Sequence, residues 1–318
     1  MHLAAFTLSA QKRYICPMSA EKSHIHSHTA MPGRADSIRL LIGIFGIGVS
    51  GPLIALSTMP VVTLIFWRNL GGALVMAPFA LRHRANRKSI AWAALGGFVL
   101  AIHFIAFFLA MRLTTVAAGT ALVALQPIFT ALFVRLKGGH IPSRAWLGMI
   151  VSFSGVILIS GVDLSISLRA FAGDIAAILS AVLAAIYVMI GSKAQQSLET
   201  STYTAICYAT CAITALPLVL IGGFQLWNFS ATEWWLVIAL VVFAQLLGHN
   251  MFNAALKRVS PAVVSLIIFF EVPVASLLAI WWLNQTPPIG ILPGIVLILG
   301  GCALVVLRTR PIKSELLP

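Results

Sequence analysis

A single carboxylate lies in the middle of a long apolar segment near the end of the chain. Residues 265–282 read SLIIFFEVPVASLLAIWW, and Glu271 is the only charged residue in that run. A charge at such depth is costly, so it has to face a cavity, an opposite charge or a proton. Pro273, two positions later, removes one backbone hydrogen bond and can bend a helix so that carbonyl groups become accessible. This pattern is typical of a residue that binds a proton or the charged group of a substrate.

Arg68, in VVTLIFWRNLGG, is the only basic residue that lies deep in an apolar run. It cannot lose its proton in practice, so it needs an anion or water. A structural ion pair with Glu271 is one interpretation, and an anionic group of a substrate is the other. Gly71 and Gly72 follow Arg68 and would let a neighbouring helix approach closely.

Further polar side chains recur within apolar segments. Gln245, His249 and Asn253 follow one another at intervals of four, within about 80° of one face of a helix. Such a stripe either lines a cavity or forms hydrogen bonds between helices. For His103, which stands alone among apolar residues, a hydrogen-bonded position in the core is the favoured interpretation. The predicted cavity therefore comprises Glu271, Arg68, His249, Asn253, Gln245, Gln126 and His103, with Pro127 and Pro273 as helix-bending positions and no metal ligands.

Ten apolar runs carry these residues. Of 318 residues, 60% are hydrophobic and 9% are charged, and the mean hydropathy is +0.99, which leaves too little polar surface for a soluble globule. A bilayer core requires about 20 apolar residues per helix, and barrel strands are excluded because the runs do not alternate. The sequence predicts an all-α integral membrane protein with ten transmembrane helices near 39–57, 61–81, 90–111, 115–134, 145–162, 172–191, 203–223, 233–255, 262–283 and 289–307.

The positive charges lie almost entirely on one side of these helices. The net charge is +13, and 18 of the 21 Lys and Arg residues fall in segments on the side of the N-terminus. Only Arg112 and Arg169 fall on the other side. Since short loops rich in Lys and Arg stay in the cytoplasm, we expect both termini to be cytoplasmic. The basic composition therefore predicts orientation and requires no nucleic-acid partner.

The first 38 residues are polar, contain no apolar core of signal-peptide length and are predicted to be a disordered cytoplasmic tail. A start at Met31 would leave most of this tail outside the native product. His24, His26 and His28 alternate here, which is a weak metal-binding pattern. Cys207 and Cys211, within one predicted span, are read as packing residues rather than as a metal or redox pair.

An internal repeat relates the two halves of the chain. A shift of 146 residues aligns residues of the same type without a gap: His103 with His249, Arg112 with Arg258, Pro127 with Pro273, Gly148 with Gly294 and Gly155 with Gly301. Each half contains five helices, and because five is odd the halves must enter the membrane in opposite orientations. Inverted repeats are typical of secondary transporters, whose binding site lies between the halves near the middle of the bilayer.

Two stretches of the sequence, one in each half, resemble the paired EamA domains of the drug/metabolite transporter superfamily. They are HFIAFFLAMRLTTVAAGTALVALQPIFTALFV in the first half and GHNMFNAALKRVSPAVVSLIIFFEVPVASLLA with GILPGIVLILGGCALV in the second. The resemblance covers about residues 39–307 and implies one repeat at 39–162, a second at 172–307 and a cytoplasmic tail at 308–318. The Gly-Glu pairs common in the family after the fourth and ninth helices are replaced here by KGGH and LNQT, so no role of those acids carries over.

The resemblance implies a carrier of the inner membrane that exports small metabolites, amino acids or toxic amphipathic compounds. We expect Glu271 to couple transport to protons. A passive facilitator or channel is the alternative. An intramembrane enzyme is less favoured because the sequence has neither a second acid well inside a span nor a His-Glu-x-x-His pattern. The expected partners are a small-molecule substrate and the lipid bilayer, with a homodimer left open, and no cofactor is expected.

Overall fold

The computed structural model describes residues 34–80, 86–136, 138, 141, 143–255 and 268–306. Eight helices in these segments are long and apolar enough to cross a membrane, and two shorter apolar helices follow them. They are α1 Ser37–Leu56, α2 Val61–Ala80, α3 Arg87–Leu113, α4 Val116–Leu136, α5 Ser143–Ile166, α6 Leu168–Ala194, α7 Thr200–Ile221, α8 Ala231–Ala255, α9 Glu271–Leu283 and α10 Ile289–Val305. The prediction of an all-α membrane protein is confirmed. The first part of the predicted ninth run, 262–267, and the polar tail with His24, His26 and His28 lie outside the described residues.

Four of the helices begin at a side chain that accepts a hydrogen bond from their first turn. Such caps satisfy backbone N–H groups that have no partner within the helix. Asn86 accepts from the Ser89 amide in α3, Thr115 from Ala118 in α4, Ser167 from Ala170 in α6 and Ser230 from Glu233 in α8. These polar residues separate continuous apolar runs, and the observed helix ends therefore lie within a few residues of the predicted ones.

Helices at equivalent places in the two halves make equivalent contacts. Helix α3 packs along α6, and its equivalent α8 packs along α1. Helix α2 packs against its own equivalent α7, and α5 packs against its own equivalent α10. A pseudo-two-fold axis between two inverted halves produces such matching pairs of helix contacts. We refer to α1–α5 as the first half and to α6–α10 as the second half.

The contact between α5 and α10 shows the inversion residue by residue. A Cβ atom added to Gly148 would lie 2.5 Å from the carbonyl oxygen of Gly301, and one added to Gly155 would lie 2.6 Å from that of Gly294. Gly148 is the repeat equivalent of Gly294, and Gly155 is the equivalent of Gly301, so each contact maps onto the other. Ser152, between them, donates its hydroxyl to the carbonyl of its own equivalent, Ile298, at 3.1 Å. The pseudo-two-fold axis therefore passes between these antiparallel helices.

Three irregularities interrupt the helices around the centre of the molecule. In α4 a turn at Ala124 and Leu125 separates the segments Val116–Val123 and Gln126–Leu136. A turn at Phe269 and Phe270 precedes α9, within one residue of the equivalent repeat position. In α8 the segment Leu240–His249 is a π-helix. Broken helices and π-helical segments are frequent at functional sites because they free backbone groups and redirect side chains.

Candidate substrate cavity

A cavity of about 140 Å³ lies between the two halves. Its walls come from three pairs of repeat-equivalent helices: α1 and α6, α3 and α8, and α4 and α9. Aromatic and aliphatic side chains form most of the lining, with a few polar groups among them. The lining residues are Ile47, Ser50, Leu100, His103, Phe104, Phe107, Val123, Gln126, Ala184, Tyr187, Val188, His249, Phe252, Asn253, Ile268 and Glu271. An apolar pocket with a few convergent polar groups is the usual form of a small-molecule site.

Among the described residues that line the cavity, Glu271 is the only acidic one. It is the first residue of α9, and the turn before it closes with a hydrogen bond from the Val272 amide to the Phe269 carbonyl at 3.3 Å. The N-terminus of a helix carries a partial positive charge, so the ionised carboxylate is favoured by its position in the helix and disfavoured by its apolar surroundings. These opposing effects suit a group that gains and loses a proton.

A smaller cavity of about 40 Å³ shares Glu271, Gln126, Val123 and Ile268 with the first. Pro127 and Phe269 line this smaller cavity, whereas Pro273 lines neither. Both helix breaks therefore face the same space between the halves.

The two repeat-equivalent histidines line the cavity in different ways. The Nδ1 atom of His103 lies 2.9 Å from the Ser180 carbonyl oxygen and 3.0 Å from its hydroxyl, and the ring stacks on Phe107. His103 is thus held by α6, as the sequence interpretation of a hydrogen-bonded histidine proposed. His249 presents its ring edge-on to Phe104, with the ring centroids 5.8 Å apart.

The polar stripe of α8 divides between two environments. His249 and Asn253 line the cavity, whereas Gln245 is fully buried against α2. Gln245 Oε1 accepts a hydrogen bond from Arg68 Nε at 2.9 Å, and its Nε2 donates to Asn69 Oδ1 at 3.3 Å. Gly72 makes this possible, because the Gln245 amide occupies the space that a Cβ atom at this glycine would need. The predicted close approach of a neighbouring helix at Gly71 and Gly72 is therefore observed, with Val241 and Gln245 as the residues that approach.

Arg68 and Gln245, which the sequence places in the cavity, lie behind its wall. Phe104, which lines the cavity, covers the guanidinium group of Arg68 with its ring centroid 4.2 Å from Arg68 Cζ. No hydrogen bond joins Arg68 to Glu271 in the described part of the chain, since Arg68 Nε binds Gln245 and Nη1 and Nη2 have no partner. The structure thus brings together Glu271, Gln126, His103, His249 and Asn253, and separates Arg68 and Gln245 from them. Tyr187, one of several aromatic residues in the apolar runs, is an additional lining residue.

Three further buried acids lie outside the lining of the cavity, and the sequence did not single them out. Asp163 accepts a hydrogen bond from the Thr114 hydroxyl at 2.5 Å, and Asp174 is fully buried. Glu233 binds Ser57 Oγ at 2.5 Å and the Thr58 amide at 2.8 Å. These acids fall at the ends of apolar runs, where a sequence gives no sign of whether a carboxylate faces water or caps a neighbouring helix.

Inverted halves of membrane-spanning helices around a central cavity define a multi-pass membrane protein of the transporter type. The chain belongs to the EamA-like transporter family, whose sequence signature matches residues 38–161 and again residues 171–307.

Several proteins named as transporters are similar in sequence. An "uncharacterized transporter" of Archaeoglobus fulgidus is 27% identical over 183 residues, which are 57% of this chain and 63% of that protein. The "uncharacterized transporter YxxF" of Bacillus subtilis is 27% identical over 220 residues, 67% of this chain and 69% of that protein. The pseudopaline exporter CntI of Pseudomonas aeruginosa is 26% identical over 227 residues, 66% of this chain and 74% of that protein. The chain thus spans just under two thirds of the archaeal relative.

The fold also occurs in a solved structure. A protein crystal structure aligns with 87% of this chain and 99% of its own, with a TM-score of 0.61 and 19% sequence identity. At this identity the likeness supports the fold alone.

Proposed function

We propose that the protein is a secondary transporter that exports small metabolites, amino acids or toxic amphipathic compounds across the inner membrane in exchange for protons. The observation that carries this proposal is a cavity bounded by three pairs of repeat-equivalent helices and containing one carboxylate. In transporters with inverted repeats, the two halves rock around a site between them, so that it opens alternately to each side. The halves proposed to move are residues 39–162 and 172–307.

In this proposal Glu271 is the coupling group, and Gln126, His103, His249 and Asn253 position the solute beside it. A carboxylate that binds either a proton or a cationic group of the solute gives competition for one site. Such competition is sufficient for exchange if the empty carrier does not change its orientation. An empty, unprotonated carrier has an uncompensated charge in an apolar environment, so it should change orientation least readily. The name of the relative CntI, an exporter, supports the proposed direction of transport.

The proposed orientation places both termini in the cytoplasm. It rests on the distribution of Lys and Arg between the two sides of the ten helices. Reporter fusions after residues 87, 165, 195 and 230 should report cytoplasmic, outer, cytoplasmic and outer positions. A cytoplasmic signal at 165 would contradict this topology.

Transport into proteoliposomes tests the function. Amino acids, amines and amphipathic toxic compounds are offered as labelled solutes to vesicles with an acidic lumen and to vesicles without a pH gradient. Exchange for protons should concentrate a solute in the acidic lumen, whereas protein-free vesicles of the same lipid give the passive accumulation of weak bases. Counterflow of the labelled solute against an unlabelled pool separates a carrier from a channel. Equal fluxes with and without the gradient, and no counterflow, would support a passive facilitator instead.

A further inference from the structure

We propose that Arg68 is an anion-binding subsite of the cavity, that Phe104 covers it, and that the pair selects solutes carrying a carboxylate in addition to a cationic group. The inference rests on the proposed function, since it takes the cavity as the site of transport. It assigns a role to a charged residue that the coupling mechanism of Glu271 does not use.

The guanidinium group of Arg68 has two nitrogens without a hydrogen-bond partner. Its side chain is 0% exposed, and Nε donates to Gln245 Oε1 at 2.9 Å. Nη1 and Nη2 have no partner among the residues that the structure describes. A guanidinium group keeps its charge in proteins, and its parallel N–H groups match the two oxygens of a carboxylate. The two nitrogens without partners therefore offer donors that a carboxylate could use together.

The position of Arg68 is fixed by the neighbouring amides rather than by an acid. Gln245 accepts a hydrogen bond from Nε. The Gln245 amide in turn donates to Asn69 and packs closely against Gly72, which has no side chain. Asn69 itself donates to the Ile65 carbonyl at 2.8 Å, one turn earlier in α2. These bonds orient the guanidinium without neutralising its charge. A binding group that is positioned in advance loses less conformational freedom when its ligand arrives.

Phe104 separates this guanidinium from the cavity. Its ring centroid is 4.2 Å from Arg68 Cζ, and its ring also packs against the His249 ring that lines the cavity. The ring centroid of Phe108 lies 5.6 Å from Arg68 Cζ, but Phe108 is not among the residues that line the cavity. Contact with aromatic faces stabilises the cation much less than burial of its charge costs. A change of the Phe104 rotamer would join Arg68 to the space that contains Glu271.

The charges then suggest the class of solute. Glu271 can hold a cationic group, and Arg68 can hold an anionic one, with apolar and aromatic walls between them. Amino acids and their derivatives have this arrangement of charges. A simple amine would satisfy Glu271 alone and would leave Arg68 unpaired.

Binding of benzoate to purified protein in detergent tests the inference without a pH gradient or a transported solute. Phe104→Ala should uncover Arg68, so benzoate should raise the melting temperature of this variant at concentrations about tenfold lower than for the wild type, equivalent to about 1.4 kcal/mol. Phe107→Ala is the matched control, because Phe107 lines the same cavity without covering the guanidinium. Benzamide, which has the same shape without the charge, should have no effect on any variant.

The double variants Phe104→Ala/Arg68→Gln and Phe104→Ala/Arg68→Lys complete the design. The benzoate effect should disappear with Gln and weaken with Lys, which keeps the charge but loses the paired donors. If the Gln variant does not fold, the Lys variant still gives the comparison. Equal stabilisation of Phe107→Ala, an effect that persists without the guanidinium, or no response of Phe104→Ala would overturn the inference. Exchange of solute for protons at Glu271 could still hold in each of these cases.

Discussion

The interface between α5 and α10 and the central cavity use the repeat in opposite ways. At the interface, repeat-equivalent glycines make reciprocal contacts, and Ser152 meets its own equivalent Ile298. In the cavity and behind its wall, by contrast, several polar residues have apolar residues at the equivalent positions of the other half. The pairs at an offset of 146 are Glu271 and Leu125, Asn253 and Phe107, Gln126 and Val272, and Gln245 and Val99. Packing has kept the symmetry, whereas the chemistry of the site has departed from it.

This difference has a physical basis. A close contact across a pseudo-two-fold axis needs small residues at both equivalent positions, because a side chain on either one would collide with the opposite backbone. A carboxylate in the membrane is costly, and a second one nearby would repel it. Even His103 and His249, which the repeat retains, differ: the first is fixed by Ser180, and the second packs against Phe104.

The largest expected effect on stability comes from Gln245, the residue of the α8 polar stripe that lies behind the cavity wall. Gln245→Leu should lower the free energy of unfolding by about 1.5–3 kcal/mol, because it leaves the buried guanidinium of Arg68 without the hydrogen-bond acceptor of its Nε. Asn253→Leu, a similar change on the cavity side of the same helix, should cost less than about 1.5 kcal/mol. Thermal unfolding in detergent, with the fraction of folded protein measured after purification, compares the two. Equal losses would mean that the stripe acts as one unit.

A smaller effect is expected at the symmetric interface. Gly148→Ala should destabilise the protein by about 1–3 kcal/mol, since the added methyl group would lie 2.5 Å from the Gly301 carbonyl oxygen. Gly161→Ala in the same helix has nothing within 4 Å of the new Cβ atom. It should be neutral or should stabilise the helix by up to about 1 kcal/mol. The melting temperatures of the two variants, measured in the same detergent, test this expectation. Equal melting temperatures would contradict the close contact between Gly148 and Gly301.

The smallest effect should come from the hydroxyl on the pseudo-two-fold axis. Ser152→Ala removes the bond to the Ile298 carbonyl and should cost about 0.5–1.5 kcal/mol. Ser154, two residues later, is exposed and bonds only to its own helix, so Ser154→Ala should change the melting temperature little. A loss at Ser154 as large as that at Ser152 would remove the support for a special role of the axis.

The helices could be predicted from the sequence because the bilayer sets their length, and the repeat could be predicted because residues of the same type recur at one offset. The thickness of the bilayer sets the length of each apolar run, so the predicted start at 61 and the observed start at Val61 agree. One offset aligns glycines and histidines over a long segment, which indicates two repeats of five helices. Because five is odd, the two repeats must have opposite orientations in the membrane. Neither inference required knowledge of side-chain contacts.

The arrangement of the site could be predicted only in part. Spacing alone placed Gln245 with His249 and Asn253, but Gly72 on another helix determines which of them is drawn out of the cavity. The π-helical segment of α8 has no signature in the apolar pattern. The position of Phe104 between Arg68 and the cavity could not be predicted either. It depends on contacts with two other helices, through Arg68 of α2 and His249 of α8.

Transport by Glu271→Gln tests the central claim most directly. The substitution keeps the size of the side chain and removes its change of charge, and Ser154→Ala serves as a control outside the cavity. With a solute found in the vesicle screen, we predict that the Gln variant retains counterflow but no longer concentrates the solute in an acidic lumen, while the control does both. Accumulation by the Gln variant with an unchanged dependence on the pH difference would contradict the assignment of Glu271 as the coupling group.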